Sequence, residues 1–449
     1  MSTRTRYAQV GLGGRHEMFR TAVGGKHKDS GQMVGFCDVN EGRIKLAVKD
    51  HLEQTGDTVP GYHADEFDRM IKDTKPDCVI VTTKDCFHDT YIRRAMELGC
   101  NAITEKPMTT DETKCRAILD TIKRTGKTLK VTFNYRYSPP RTQIKDLLMS
   151  GVIGEVLSVD FHWLLNTAHG ADYFRRWHRN KQNSGGLMVH KATHHFDLVN
   201  WWLSTVPETV YANGHLKFYT PETADRYGLS NRAERCHECP EQERCPFCLK
   251  LADNPRQKEL YLDCEQYDGY HRDQCVFSDK IDIEDSMNLV VQYRNGAKMS
   301  YSLNAFAPWE GHIVTFNGTK GRLEHKCEET VYTNADGSIP GALKPEGTWT
   351  HIYPHWKPAQ EIDVWQGEGG HGGADPVMLD YIFDPAGQSR DTYMRAADER
   401  AGAWSIMTGV AANHAMRAGT AVTINNLVGH IDMPDYPDMP SPVDPLPLP

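Results

Sequence analysis

The chain has 449 residues, 39% of them hydrophobic with 37 glycines besides, and 51 basic against 60 acidic side chains for a net charge of −9. That is ordinary globular composition with a sizeable core, which excludes wholesale disorder, and the acidic balance argues against a nucleic-acid partner. No run approaches the ~18 uncharged apolar residues of a membrane span. Twelve cysteines are too dilute for a disulfide scaffold, and the start MSTRTRYAQVGLGG shows no export signal. The expectation is therefore a cytoplasmic protein with free or metal-bound thiols and no membrane or nucleic-acid partner.

In chain order, β-rich runs at 7–10, 33–37, 78–82, 101–104 and 129–133 alternate with helical stretches. Alternating βαβα predicts a doubly wound parallel sheet over residues 1–135. One helix runs from about 87 to 98, closed by Gly99. Thr109-Thr110-Asp111-Glu112 reads as a capping box for the next, which Gly126 ends. Past Pro139 the texture changes. Strands are predicted at 156–163, 287–293, 298–303 and 312–317, with Asn295-Gly296 as a hairpin turn, and helices at 193–203 and about 393–418. Residues 136–430 thus read as a second α+β domain with a large, open, mainly antiparallel sheet, interrupted by a charged, Cys-rich insertion at 225–280. The tail, 431–449, carries 7 prolines in its last 16 residues and reads as an extended arm lying on a neighbouring subunit.

Gly11-Leu12-Gly13-Gly14-Arg15-His16 follows the first strand. Such a loop brings backbone N–H groups to a pyrophosphate at a helix N-terminus, although His16 stands where a third glycine is expected. Asp38 ends the second strand. An acid there accepts hydrogen bonds from both ribose hydroxyls and repels a 2′-phosphate, which favours NAD over NADP.

Glu105-Lys106-Pro107 follows the strand at 101–104. With VIVTTKDCFHDTYIRRAMELGCNAITEKPM and the later SGGLMVHKATHHFDLVNWWL, it resembles the Gfo/Idh/MocA family of NAD(P)-dependent oxidoreductases, which act mostly on sugars, inositols and related polyols. The resemblance implies a Rossmann domain followed by an α/β domain with an open sheet. It puts Gly11, Gly13, Gly14, Arg15, Asp38, Thr82, Thr83, His88, Glu105, Lys106 and Asn134 on the cofactor, and Arg136 at the interdomain cleft. His194 matches the family's catalytic histidine, with Lys106 beside the nicotinamide. Two positions depart from the pattern: His190 stands where the family usually has Asp, and Lys84 where it has Pro. The first removes a carboxylate from the site's proton chemistry.

The residues themselves agree with that chemistry. Oxidising a secondary alcohol needs a hydride acceptor and a group that takes the hydroxyl proton, and a desolvated Lys106 near a cationic ring has a lowered pKa. His190 and His194 share one helix face, Lys191 and His195 the next. The i,i+4 histidine pair could hold zinc, but it lacks the Glu of an HExxH site. Asp197 either orients an imidazole or points outward. Arg175-Arg176-Trp177-His178-Arg179-Asn180-Lys181 is a cationic loop. Read functionally, Arg176 and His178 meet an anionic sugar and Trp177 stacks on its ring; read plainly, it is a solvated loop. His371, in a Gly-rich loop, joins Lys191 and His195 as a substrate-site candidate. Cys236-x2-Cys239-x5-Cys245-x2-Cys248 suits a structural zinc, with Cys275 able to replace Cys248; unbound thiols are the alternative.

These readings predict an NAD-dependent oxidoreductase acting on a ring hydroxyl, C3 for instance, of a sugar or glycoside, an anionic one included, in a homo-oligomer of two or four chains. One alternative is a redox-neutral, NAD-dependent glycoside hydrolase working through a 3-keto intermediate, for example on a sulfosugar glycoside. The other is a non-catalytic NAD and sugar sensor.

Overall fold

The computed structural model describes residues 4–330, 342–384, 391–446 and 448. Its first part holds β1 (Thr5–Val10), β2 (Gly31–Asp38), β3 (Gly61–His63), β4 (Cys78–Val81), β5 (Asn101–Thr104) and β6 (Leu129–Val131). All pair in parallel, in the order β3-β2-β1-β4-β5-β6. Strand order reverses between β1 and β4, so the loops after those two strands open a crevice at the carboxyl edge, the place where such sheets bind ligands. β4 is Cys-Val-Ile-Val with every residue buried, as a strand covered on both faces requires. The helices between strands are α1 (His16–Gly24), α2 (Glu41–Thr55), α3 (Phe67–Thr74), α4 (His88–Glu97) and α5 (Glu112–Thr125). Asp111, not Thr109, caps α5: its carboxylate accepts from the Lys114 amide, and Gly126 closes the helix at φ +67°. Asp111, extended at φ −150°, sits three residues before that amide in the N-cap position itself, so the expected threonine box does not form.

The second part is a nine-stranded sheet of β7 (Val156–Asn166), β8 (Pro207–His215), β9 (Ser286–Tyr293), β10 (Lys298–Ala307), β11 (Glu310–Gly318), β12 (Gly321–Thr330), β13 (Trp349–Pro354), β14 (Gln360–Ile362) and β15 (Val422–Thr423). The order is β14-β13-β12-β11-β7-β10-β9-β8-β15. Every pair is antiparallel except β7 with β10, which is parallel. Strict alternation of buried and exposed residues along β9 and β10 leaves one face covered and one open. Helices Thr193–Leu203 and Glu399–Ala418 cover the inner face, the first with all its residues buried and Trp202 packed against Phe161 and Phe316. The second of these helices starts at Glu399 rather than near 393, because Asp398 accepts from the amides of Arg400 and Ala401 and caps it there.

The tail makes contacts with its own chain: Arg400 pairs with Asp435, Tyr436 is half-buried beside Arg136, and Ser204 donates to the Pro437 carbonyl. The Cys-rich insertion, between β8 and β9, reaches back across the first sheet's crevice.

Candidate active site

The crevice and the inner end of the second sheet enclose one cavity of about 830 Å³. At its cofactor end, Gly11 sits at φ +88°, and a Cβ there would lie 2.5 Å from the backbone of Thr82 and Thr83. Only glycine lets the loops after β1 and β4 approach so closely. Thr82 ties them together, its hydroxyl donating to the Gly11 carbonyl at 2.5 Å, while Thr83, Gly13 and Gly14 line the cavity. Asp38 reaches the expected place but not free: one carboxylate oxygen accepts from the Leu12 amide (2.5 Å) and the other from the Asn40 amide (2.8 Å). Burial raises its pKa, and Arg43 pulls it back. The acid therefore also holds the glycine loop in shape. Arg15 pairs with Glu105 at 2.7 Å. His88 lines the cavity with both ring nitrogens against backbone, Nδ1 at 2.7 Å from the Pro107 oxygen and Nε2 at 3.2 Å from that of Thr83. It joins two crevice loops.

At the other end Lys106, just past β5, donates from Nζ to the His190 carbonyl at 3.1 Å. Burial brings its pKa down to about 8, against the opposing pull of Asp85 and Glu105. His194 stacks on Tyr135 with centroids 4.1 Å apart. Burial and the charges of Lys106 and Lys191 push its pKa well down, so the imidazole is neutral at neutral pH. Lys191 Nζ donates to the Tyr135 hydroxyl at 3.1 Å and lies 4.6 Å from the Trp163 ring centre. His371 Nδ1 is 2.9 Å from Asp375, which also accepts from Asn134 at 2.7 Å.

A carboxylate from the first domain meets the histidine that stands at the expected Asp position. Asp85, in the loop after β4, places Oδ2 2.5 Å from His190 Nδ1. Burial raises the Asp85 carboxyl, opposed by Lys106 and Arg176; burial and Lys106 hold His190 well below its ordinary value. A neutral His190 donates Nδ1–H to that carboxylate and keeps its lone pair on Nε2. His190 also sits edge-on to His178, 4.2 Å away, and His178 stacks on Trp177 at 3.6 Å. That packing covers one face of the tryptophan expected to meet a sugar.

Two expected substrate residues lie behind the cavity wall. Arg136 is fully buried in a two-point pair with Asp197, at 2.7 and 2.6 Å, which also answers where Asp197 points. His195 is buried against Tyr301 (2.7 Å) and stacked on Trp163. Sequence reasoning missed Asp85, Tyr135 and Arg272 as lining residues. Asp85 stood inside the run VIVTTKDCFH already quoted, and Tyr135 between the candidates Asn134 and Arg136; Arg272, in the insertion, had no such signal.

The thiols of Cys236, Cys239, Cys245, Cys248 and Cys275 surround one small cavity. The amides of Leu249 and Ala233 donate to the sulfurs of Cys236 and Cys239, each at 3.3 Å. Among the described residues, however, the tight three-ligand group is not here but at buried His312, His325 and Cys327.

A glycine loop at a topological switch point, next to a desolvated lysine and neutral histidines, defines a dinucleotide-dependent oxidoreductase. The family models for the NAD-binding Rossmann fold and the C-terminal alpha/beta domain match residues 5–133 and 145–424. The chain belongs to the Gfo/Idh/MocA oxidoreductase family. It is 39% identical over 390 residues to YteT of Bacillus subtilis, named an oxidoreductase, covering 84% of this chain and 88% of that one. It is 28% identical over 301 residues to 2,7-anhydro-N-acetylneuraminate hydratase of Escherichia coli, covering 67% and 62%. Glycosyl hydrolase family 109 protein 2 of Akkermansia muciniphila is 29% identical over 158 residues, 34% and 33% of the two chains. The fold matches the WlbA dehydrogenase from Bordetella pertussis, solved with NADH and UDP-GlcNAcA, at TM-score 0.63 and 17% identity over 94% and 99% of the chains. Among the described residues no helix is long and apolar enough to cross a membrane.

Proposed function

We propose that this protein oxidises a ring hydroxyl, C3 for example, of an anionic sugar or glycoside, with NAD preferred over NADP. The observation that carries the substrate class is the cavity's charge. Arg15 is paired with Glu105 and Arg43 with Asp268; beyond those pairs the wall carries the acids Asp38 and Asp85 and, outside the insertion, the cations Lys84, Lys106, Arg176 and Lys191, so positive charge remains in excess. Arg176 and Arg272 share a single acid, Asp172, at 3.6 and 3.1 Å. Such a wall favours a carboxylate- or sulfonate-bearing ligand.

When bound, the nicotinamide accepts the hydride from the carbinol carbon. The chain's own part is the proton. With a pKa near 8, Lys106 exchanges one readily at physiological pH, and neutral His194 in the same cavity is the second acceptor. Asp85 fixes His190 beside them.

A second reading is favoured by the additional pairs His190–Asp85 and Lys191–Tyr135. A redox-neutral glycosidase needs one base for the hydroxyl at C3 and another for the proton at C2, whose loss expels the aglycone before water adds and the hydride returns. A sensor without turnover has no use for Lys106 and His194 together. Incubation with NAD and a panel of uronic acids, sulfosugars, their glycosides and neutral counterparts separates the readings. NADH accumulating with an acidic sugar supports the dehydrogenase. Aglycone release in D2O with deuterium at C2 and no net NADH supports the glycosidase. Turnover confined to neutral sugars refutes the substrate class, and binding without turnover leaves the sensor.

The same proposal includes a cytoplasmic homo-oligomer of two or four chains. Support for assembly comes from Tyr211 and Val290, cross-strand neighbours exposed on the sheet's open face; light scattering of the purified protein tests it. It also includes one structural zinc on four of the five insertion thiols. Metal analysis should find about one zinc per chain, and metal-free protein with reactive thiols would remove the assignment.

A further inference from the structure

The insertion between β8 and β9 has no counterpart in the glycine-loop and lysine motifs, yet residues 256–272 of it lie along the whole cofactor end of the cavity. Arg256 pairs with Glu17 of α1 and with Asp50 of α2, the latter at 2.6 Å. The Tyr261 hydroxyl accepts from the Gly14 amide at 2.9 Å, so the segment touches the phosphate loop itself. Asn40, two residues past the ribose-side acid Asp38, donates to the Cys264 carbonyl at 2.9 Å. Gly42 approaches so closely that a Cβ would lie 2.7 Å from the Cys264 sulfur and 2.8 Å from the Tyr267 ring. Asp268 pairs with Arg43. Arg272 lies 4.8 Å from the Tyr261 ring centre, and its Nη1 is buried with no hydrogen-bond partner. These anchors fall on α1, the loop after β1, and both ends of α2. A surface loop resting by chance on its neighbour would not complete a cavity wall at each of those places.

We propose that residues 256–272 form a strap that is a built part of the dinucleotide site: Tyr261 and Arg272 serve the anionic pyrophosphate, and the anchors at Arg256 and Asp268 slow dissociation of the cofactor. The buried, unpartnered guanidinium nitrogen of Arg272, which packs on the ring of the tyrosine bonded to Gly14, is the donor that a phosphate oxygen would satisfy. Asp268 also neutralises Arg43 at the adenosine end, where an uncompensated guanidinium would welcome a 2′-phosphate. The strap rests on dinucleotide binding alone and holds whichever sugar is turned over.

The test measures dissociation of NADH from the full-length protein by stopped-flow fluorescence, with no sugar present. Arg272→Gln, and the anchor variant Arg256→Ala with Asp268→Ala, should each raise the dissociation rate at least tenfold while changing the association rate less. Tyr261→Phe keeps the ring and loses only the hydroxyl, so it remains informative if the anchor variant fails to fold; it should raise the rate severalfold. Tryptic cleavage after Arg256, Lys258 and Arg272 should slow when NADH is added. Rates within twofold of wild type in Tyr261→Phe and Arg272→Gln would overturn the strap. A failed sugar assay with these rates as expected would count against the substrate proposal instead.

Discussion

Asp85→Asn is the perturbation that tests how the two domains share one proton site. The asparagine keeps the size and an acceptor for His190 Nδ1, which now lies 2.5 Å from Oδ2, but removes the charge. Asp85 is the strongest of the neighbouring charges holding the Lys106 ammonium up against burial, which has already brought it from about 10.5 to about 8. An opposite charge close by is typically worth about 1–3 pKa units, each about 1.4 kcal/mol. Without it the Lys106 midpoint should fall to about 7 or below, and the neutral fraction at pH 7 should rise from about a tenth to about a half or more. If neutral Lys106 takes the hydroxyl proton, the rising acid limb of single-turnover NADH formation moves to lower pH by at least one unit. Its plateau drops on the order of tenfold, because the amine is a weaker base and His190 is less firmly held. Direct titration of 13Cε-labelled lysine should show the same downward shift. A midpoint unchanged or moved upward in Asp85→Asn would show that the carboxylate does not act on Lys106, and the pairing across the domains would then be structural only.

Lys106→Ala and His194→Ala should each lower the rate of NADH formation by about 10²–10⁴-fold while NADH binding is kept, and near-normal rates in both would refute the proton assignment. Asp38→Ala should narrow the preference for NAD over NADP, measured as two dissociation constants. It should also cost about 1–3 kcal/mol in denaturant unfolding, because the buried amides of Leu12 and Asn40 lose their acceptor; an unchanged stability would mean water replaces the carboxylate. Arg136→Met should destabilise by about 3–5 kcal/mol, since it strands the buried Asp197 charge. Asp197 already titrates near 6 because burial outweighs Arg136, and without the arginine its folded pKa rises further above the unfolded value. The loss should therefore be smallest and flat in acid and grow as pH rises through about 6, where Asp197 ionises in the wild type but stays protonated in the variant. Arg136→Met with Asp197→Leu should recover most of the stability, and failure to recover it would locate the defect in packing.

What was legible in the sequence was what is local in the chain. The strands of the first sheet are buried on both faces and so read as short apolar runs, and each functional loop follows its strand directly: the glycines after β1, Asp38 at the end of β2, Lys106 after β5. The antiparallel sheet was legible through its hairpin at Asn295-Gly296 and its alternation, but the parallel pairing of β7 with β10 joins residues 140 apart and leaves no local mark. The same limit governs the site. His190 and Asp85 are 105 residues apart, and Gly14 and Tyr261 are 247 apart; no pattern of spacing announces either contact. Arg136 shows the consequence most sharply. In FNYRYSP it reads as a cation at a cleft, equal in promise to Arg176, and a reading of charge by position cannot separate them. Three-dimensional pairing does, because Asp197 accepts from both Nε and Nη2 of Arg136 and holds it in the wall, whereas Arg176 shares one acid with Arg272 at the cavity's edge. The charge available to a substrate is therefore set by which arginines the fold has already neutralised, and that depends on acids placed far away in sequence.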